Sequence, residues 1–119
     1  MGLLSDYQPK AVSNQTFQLL TYAETVGVQY SVLTVPGNAK SATLSIEAAA
    51  GSVAGAVIAR YWMDGTNPDF AANSGLPLYA GDVIEIIANP CLNNFKIITQ
   101  NDLKHRVNVQ FFNFSKAVQ

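Results

Sequence analysis

Apolar and polar residues alternate with a period of two along much of the chain, the mark of strands that bury one face and leave the other polar. Within 41–48, Ala42, Leu44, Ile46 and Ala48 fall on one side and Thr43, Ser45 and Glu47 on the other. Val28, Tyr30, Val32 and Thr34 alternate with Gln29 and Ser31, and Pro36-Gly37-Asn38 then supplies a turn, which predicts a hairpin into the next strand. Val107, Val109 and Phe111 alternate with Asn108 and Gln110 in a strand over 106–112. The run 56–63 is apolar on both sides, so it is expected to be central or covered on both faces, and Asp64-Gly65 ends it. Strands over 16–23, 82–87 and 95–99 bring the set to seven, with 76–79 as an eighth.

Turn signals at Gly51, Asp64-Gly65, Gly75, Ala80-Gly81-Asp82, Asn89-Pro90 and Asn101-Asp102 separate these short runs. Their spacing predicts an all-β fold, an antiparallel sandwich of two sheets of jelly-roll or immunoglobulin-like type, with a barrel as the competing closure. The alanine-rich stretch 46–59 is the one place where a helix competes, and Gly51 and Gly55 interrupt it. Residues 1–15 carry no sustained period and read as an extended arm, leaving 16–119 as the sandwich domain. Leu3, Leu4 and Tyr7 are the apolar anchors by which such an arm would dock on a partner; 114–119 reads as a second short tail.

Composition narrows the function classes. The chain has 119 residues, enough for one domain that buries a core without disulfides or a structural metal. Seven basic and eight acidic side chains give a formal charge of −1, so the basic footprint that nucleic acid or an anionic membrane requires is missing. Charged residues make up 13%, about half the usual share, while ten Asn and seven Gln carry much of the polarity. So little like-charge repulsion favours self-association. Residues 1–10 show no basic region followed by an apolar run, and the uncharged stretch 48–59 is too short to span a bilayer as a helix.

No motif for catalysis emerges. Gly-rich phosphate loops, Gly-x-Ser-x-Gly elbows and His-Glu-x-x-His helices are all missing, so the chain reads as a non-enzyme needing no cofactor. His105, between Lys104 and Arg106, is expected on the solvated surface, and Cys91 is expected to be a small buried hydrophobe. Asp64, Asn67 and Asp69 offer oxygen ligands for a calcium ion, but their types also suit turns, and the turn assignment is preferred over a metal site. The aromatics are more informative. Tyr61 and Trp62 are adjacent on one strand, as are Phe111 and Phe112, so one ring of each pair must leave the core. An outward ring marks a subunit contact or a sugar-stacking platform unless the chain covers it itself.

The half from Arg60 to Phe112 holds an ordered series of turn and strand signatures. They are Asp64-Gly65-Thr66-Asn67-Pro68, Gly75-Leu76-Pro77-Leu78, Ala80-Gly81-Asp82-Val83-Ile84, Asn94-Phe95-Lys96-Ile97 and Val107-Asn108-Val109-Gln110-Phe111-Phe112. In this series the chain resembles small virion structural proteins of tailed bacteriophages. The resemblance implies a β-sandwich module located in the virion and assembled in the bacterial host cytoplasm. Its implied role is a capsid decoration (cement) protein that bridges capsomers through contacts with the major capsid protein or another virion protein. It also implies a homo-oligomer, a trimer by preference. The alternative is a host-recognition or carbohydrate-binding module of a tail or fibre, with Tyr61 or Trp62 as the stacking ring.

Overall fold

A computed structural model describes residues 7–24 and 30–116, with side chains described for all of these except 7, 8 and 114–116. The described residues form eight strands: β1 (Tyr7–Gln18), β2 (Ser31–Val32), β3 (Ser41–Glu47), β4 (Ala59–Trp62), β5 (Leu76–Leu78), β6 (Val83–Ile87), β7 (Lys96–Thr99) and β8 (Arg106–Lys116). A short helix, α1 (Asn89–Asn93), lies between β6 and β7. Every pairing is antiparallel, and the strands form two four-stranded sheets, β1-β8-β3-β6 and β2-β7-β4-β5.

The order has a simple origin. β1 pairs with β8, β2 with β7, β3 with β6 and β4 with β5, so the chain is a nested antiparallel ribbon. Rolled up so that β8 meets β3 and β7 meets β4, the ribbon becomes a jelly roll. The all-β two-sheet sandwich expected from the alternation is therefore the fold, and of its two suggested variants the strand order is that of the jelly roll.

The alternation places the core between the sheets. Ala42, Leu44 and Ile46 of β3 face Val107, Val109 and Phe111 of β8 in the inner layer of the first sheet. From the second sheet, Ala59 and Tyr61 of β4 and Ile97 of β7 close on them, with Phe95 stacked on Tyr61 at 5.4 Å between ring centroids. Fully burying one such side chain contributes roughly 1.5–3 kcal/mol, so this layer dominates the stability of the domain. No helix forms over 46–59. Gly51 and Gly55 have φ of +94° and +80°, outside the right-handed helical region, and the stretch is a looping connection between the sheets.

Several local expectations are corrected. Pro36 does open a turn, closed by Ala39 N–H on its carbonyl at 3.0 Å, but β2 and β3 belong to different sheets, so the turn is a crossing and not a hairpin. Over 30–35 the inward residues are Leu33 and Val35, while Val32 is exposed, opposite to the phase expected from Tyr30 and Val32. The segment 7–15, read as arm, is the first part of β1, and 114–116, read as tail, is the last part of β8; the two strands pair from Tyr7↔Lys116 to Gln18↔Arg106. A bulge at Val12 shifts the register between Ala11 and Ser13, which breaks the period that would have revealed the strand. Leu3 and Leu4 lie outside the described residues.

Candidate interaction surface

β6 owes its form to Val-Ile-Glu-Ile-Ile, five residues of strong β preference apart from the glutamate, started after the Gly81-Asp82 turn and stopped by the Asn89-Pro90 helix start. Ile86 points into the core, and Val83, Glu85 and Ile87 point outward, with Val83 62% and Ile87 66% exposed. The hydrogen-bond phase follows from two bonds. Ile46 N–H donates to Asp82 C=O at 3.1 Å and Ala88 N–H to Lys40 C=O at 2.9 Å, so even-numbered residues of β6 bond to β3. Antiparallel ladders alternate, and the N–H and C=O groups of Val83, Glu85 and Ile87 therefore point away from β3, along the free edge of the sheet.

The other three edges carry protections that β6 lacks. β2 has only two residues, and β5 has three with Pro77 in the middle. β1 has Pro9, Lys10 and the Val12 bulge, and its Gln15 is tied to the connection after β2: Oε1 accepts from Thr34 N–H at 2.9 Å, and Nε2 donates to Thr34 Oγ1 at 3.5 Å. On β6 the single deterrent is the Glu85 carboxylate. Beside it the outer face of the first sheet holds a shallow groove of about 260 Å³, lined by Pro9, Ser41, Thr43, Glu85, Ile87 and Phe112. Along the same face, away from the groove, the surface becomes a row of amides and hydroxyls: Thr16 Oγ1 donates to Asn108 Oδ1 at 3.0 Å and Asn108 Nδ2 to Glu47 at 2.7 Å.

The centre of the second sheet's outer face is roofed by the chain itself, while Val32 at the β2 edge stays exposed. Ile98 points outward yet is only 4% exposed; Leu20, Tyr22, Tyr30 and Phe70 surround it and leave a gap of about 10 Å³. Tyr22 stacks on Phe70 with centroids 3.9 Å apart. Arg60 pins the covering loop by donating to Gly75 C=O at 2.9 Å and to Gln100 Oε1 at 2.7 Å. Gly75, with φ of +130°, sits so close that a Cβ there would lie 2.8 Å from Arg60 Cβ.

The paired aromatics divide as the strand geometry requires. Tyr61 and Phe111 are buried in the core, and burial raises the Tyr61 phenol above its ordinary pKa. Trp62 and Phe112 face outward and are half-buried, each for a different reason. Trp62 lies on the roofed face and donates from Nε1 to Ser74 Oγ at 3.1 Å, whereas Phe112 forms a wall of the open groove. Of the four rings, Phe112 alone lies on the bare surface. Tyr7 opens β1, and its side chain lies outside the described residues.

Asp64 and Asp69 act as turn residues. Asp64 Oδ1 accepts from Thr66 N–H at 3.0 Å, which lowers its pKa, and Asp69 Oδ1 accepts from Ala71 N–H at 2.9 Å. Asn67 Oδ1 instead accepts from the Lys96 ammonium, which also donates to Gly65 C=O, both at 2.8 Å, and lies 4.5 Å from the Tyr30 ring centre. Lys96 thus brings a positive charge to this loop. Among the described residues no three His, Cys, Asp or Glu side chains converge on one point. Cys91 is half-buried in α1 against the core.

His105 departs from expectation. It is fully buried, accepting Ala49 N–H on Nδ1 at 2.9 Å and meeting Asn101 Oδ1 with Nε2 at 2.5 Å. This fixes a neutral ring with the proton on Nε2, and burial lowers its pKa. The signal was in the sequence: His105 shares the inward phase of Val107, Val109 and Phe111, and its charged neighbours take the outward one. No protein-family model, curated protein or solved structure matches the chain.

Proposed function

We propose that the protein is a structural component of a bacteriophage virion, a cement-like module that self-associates and bridges neighbouring shell subunits. The observation that carries this reading is the bare, apolar end of the first sheet. There an unprotected edge strand, with Val83 and Ile87 more than half exposed, and the groove at Phe112 and Ile87 lie side by side. A monomer in water gains nothing from such a surface, whereas an assembly buries it. The jelly roll adds support, because it is an architecture repeatedly used in virus shells, although folds host many functions and the argument rests on the surface. The sugar-binding alternative relied on Tyr61 or Trp62 as a stacking ring. Tyr61 is in the core and Trp62 is engaged by Ser74, so the geometry favours the structural reading.

Quantitative mass spectrometry of purified particles tests the proposal. Cement implies a copy number comparable to that of the major shell protein. A few copies per particle would place the protein in a tail or fibre instead, and its absence from particles would refute a virion role.

A further inference from the structure

β5 and β6 form one flank of the sandwich. β5 is an edge strand of the second sheet and β6 of the first. A tight turn joins them, with Tyr79 N–H donating to Asp82 Oδ2 at 2.8 Å and Asp82 N–H to Tyr79 C=O at 3.0 Å. Among the described residues six large apolar side chains are exposed, and four of them, Leu76, Tyr79, Val83 and Ile87, fall within 76–87. The charges in that stretch are Asp82 and Glu85, both acidic. The turn uses the Asp82 carboxylate. Glu85 lies opposite the neutral Thr43 of β3, and its carboxylate has no hydrogen bond or ion pair among the described residues. The flank is thus apolar, with one uncommitted negative charge at the middle of β6.

The backbone fixes the shape of what fits there. The N–H and C=O groups of Val83, Glu85 and Ile87 face out from the edge, so their complement is an extended strand with matching donors and acceptors. Its side chains follow from the pleat. On the outer face its central residue lies beside Glu85, and the residues two before and two after lie beside Val83 and Ile87. The residues between them pack beside Ile84 and Ile86, and Ile84, only partly buried at the margin of the core, gains the cover it lacks. The matching segment is therefore basic at its centre and apolar on both sides, in either strand direction. A second copy is a poor source of it. β6 against β6 about a central twofold axis opposes Glu85 to Glu85, and like charges directly opposite disfavour a strand pair. Nor does β1, β2 or β5 carry a basic residue flanked at alternate positions by apolar ones.

We infer that β6 takes up, as a fifth strand of the first sheet, an extended segment of a different protein that is apolar with a single Lys or Arg at its centre. This deepens the bridging role in the proposed function and rests on it for assigning the segment to a shell subunit. The backbone ladder and the apolar cover over Val83 and Ile87 supply affinity. Glu85 sets the register and selects the charge of the partner.

Peptide titration tests it. A capped peptide carrying Val-Ile-Lys-Ile-Val between serines, and a control with Glu in place of Lys, are titrated into the isotope-labelled full chain and followed by NMR. The Lys peptide is expected to shift the backbone amide signals of Val83, Glu85 and Ile87 and to bind about tenfold more tightly than the Glu peptide. Glu85→Lys should reverse that preference, with thermal melting as the check that the exposed substitution leaves the fold intact. A Lys peptide that leaves those amides unmoved at millimolar concentration, or a preference that Glu85→Lys does not reverse, overturns the inference. Slow hydrogen exchange of the same amides in the dilute free chain also overturns it, because the edge is then already covered. Concentration-dependent shifts of these signals without peptide would name a second copy as the occupant and overturn it too. Particle copy number is independent of all these outcomes and decides the virion reading separately.

Discussion

The centre of the second sheet and the β6 side of the first treat their outward apolar residues in opposite ways. In the second sheet, Ile98 and Trp62 lie under a roof made from the connection after β1 and the loop between β4 and β5, pinned by Arg60 and Gln100. In the first sheet, Val83, Ile87 and Phe112 have no such cover among the described residues, although their strands are built on the same alternation. Alternation decides which face a residue takes; the length of the intervening loops decides whether that face is wet. The chain devotes its long loops to one sheet and leaves the other available for contact.

The sharpest test uses the same residue on both faces. Ile98→Ala removes a side chain that is 4% exposed and should cost about 2–5 kcal/mol in denaturant unfolding. Ile87→Ala removes one that is 66% exposed and should change the monomer's stability by no more than about 0.5 kcal/mol. Equal costs would mean that the first sheet's outer face is covered within the monomer, and the contrast between the sheets would disappear.

The roof itself can be lifted. Gly75→Ala places a Cβ 2.8 Å from Arg60 Cβ, 3.1 Å from Tyr61 N and 3.3 Å from Pro68 Cβ, at a φ of +130° that side chains rarely adopt. The expected loss is about 1–3 kcal/mol, with increased accessibility of Trp62 to a fluorescence quencher. If stability falls while Trp62 stays shielded, the roof is held by the Tyr22–Phe70 stack more than by the Gly75 contact.

Much of this architecture was legible, and the failures have physical causes. The strands at 41–48 and 106–112 and the doubly covered strand within 56–63 follow from side-chain phase, because each lies in a sheet whose inner face must be apolar. Phase carries no information about partners, so the Pro36 turn could be recognised but not the crossing between sheets that it makes. The start of β1 was hidden because its inward positions near the sheet edge include the polar Ser13 and Gln15, and Gln15 holds Thr34. The bare groove was partly visible in Phe112. The β6 edge was not, since Val83 and Ile87 look like core residues until the neighbouring strand order is known.

The smallest expected effect concerns the loop that joins the sheets after β3. His105 is the one histidine of the chain, and its Nδ1 holds Ala49 N–H, which can persist only while that nitrogen is unprotonated. Its pKa in the folded protein lies below the ordinary 6.5 because burial penalises the charged ring. The unfolded chain therefore takes up a proton first as pH falls. Stability from this group is complete above pH 6.5 and declines as the pH drops through 6.5 toward the lower folded-state value. Thermal melts across that window should show the midpoint falling with acidification, and His105→Gln should flatten the slope even though it lowers the midpoint throughout. Backbone exchange at Ala49 ought to accelerate in step, because protonation sets two donors against each other there. A wild-type slope that persists in His105→Gln would assign the acid sensitivity to the carboxylates, Asp64 and Glu24 first, whose pKa values are held below the ordinary range and which lose their partners only at lower pH.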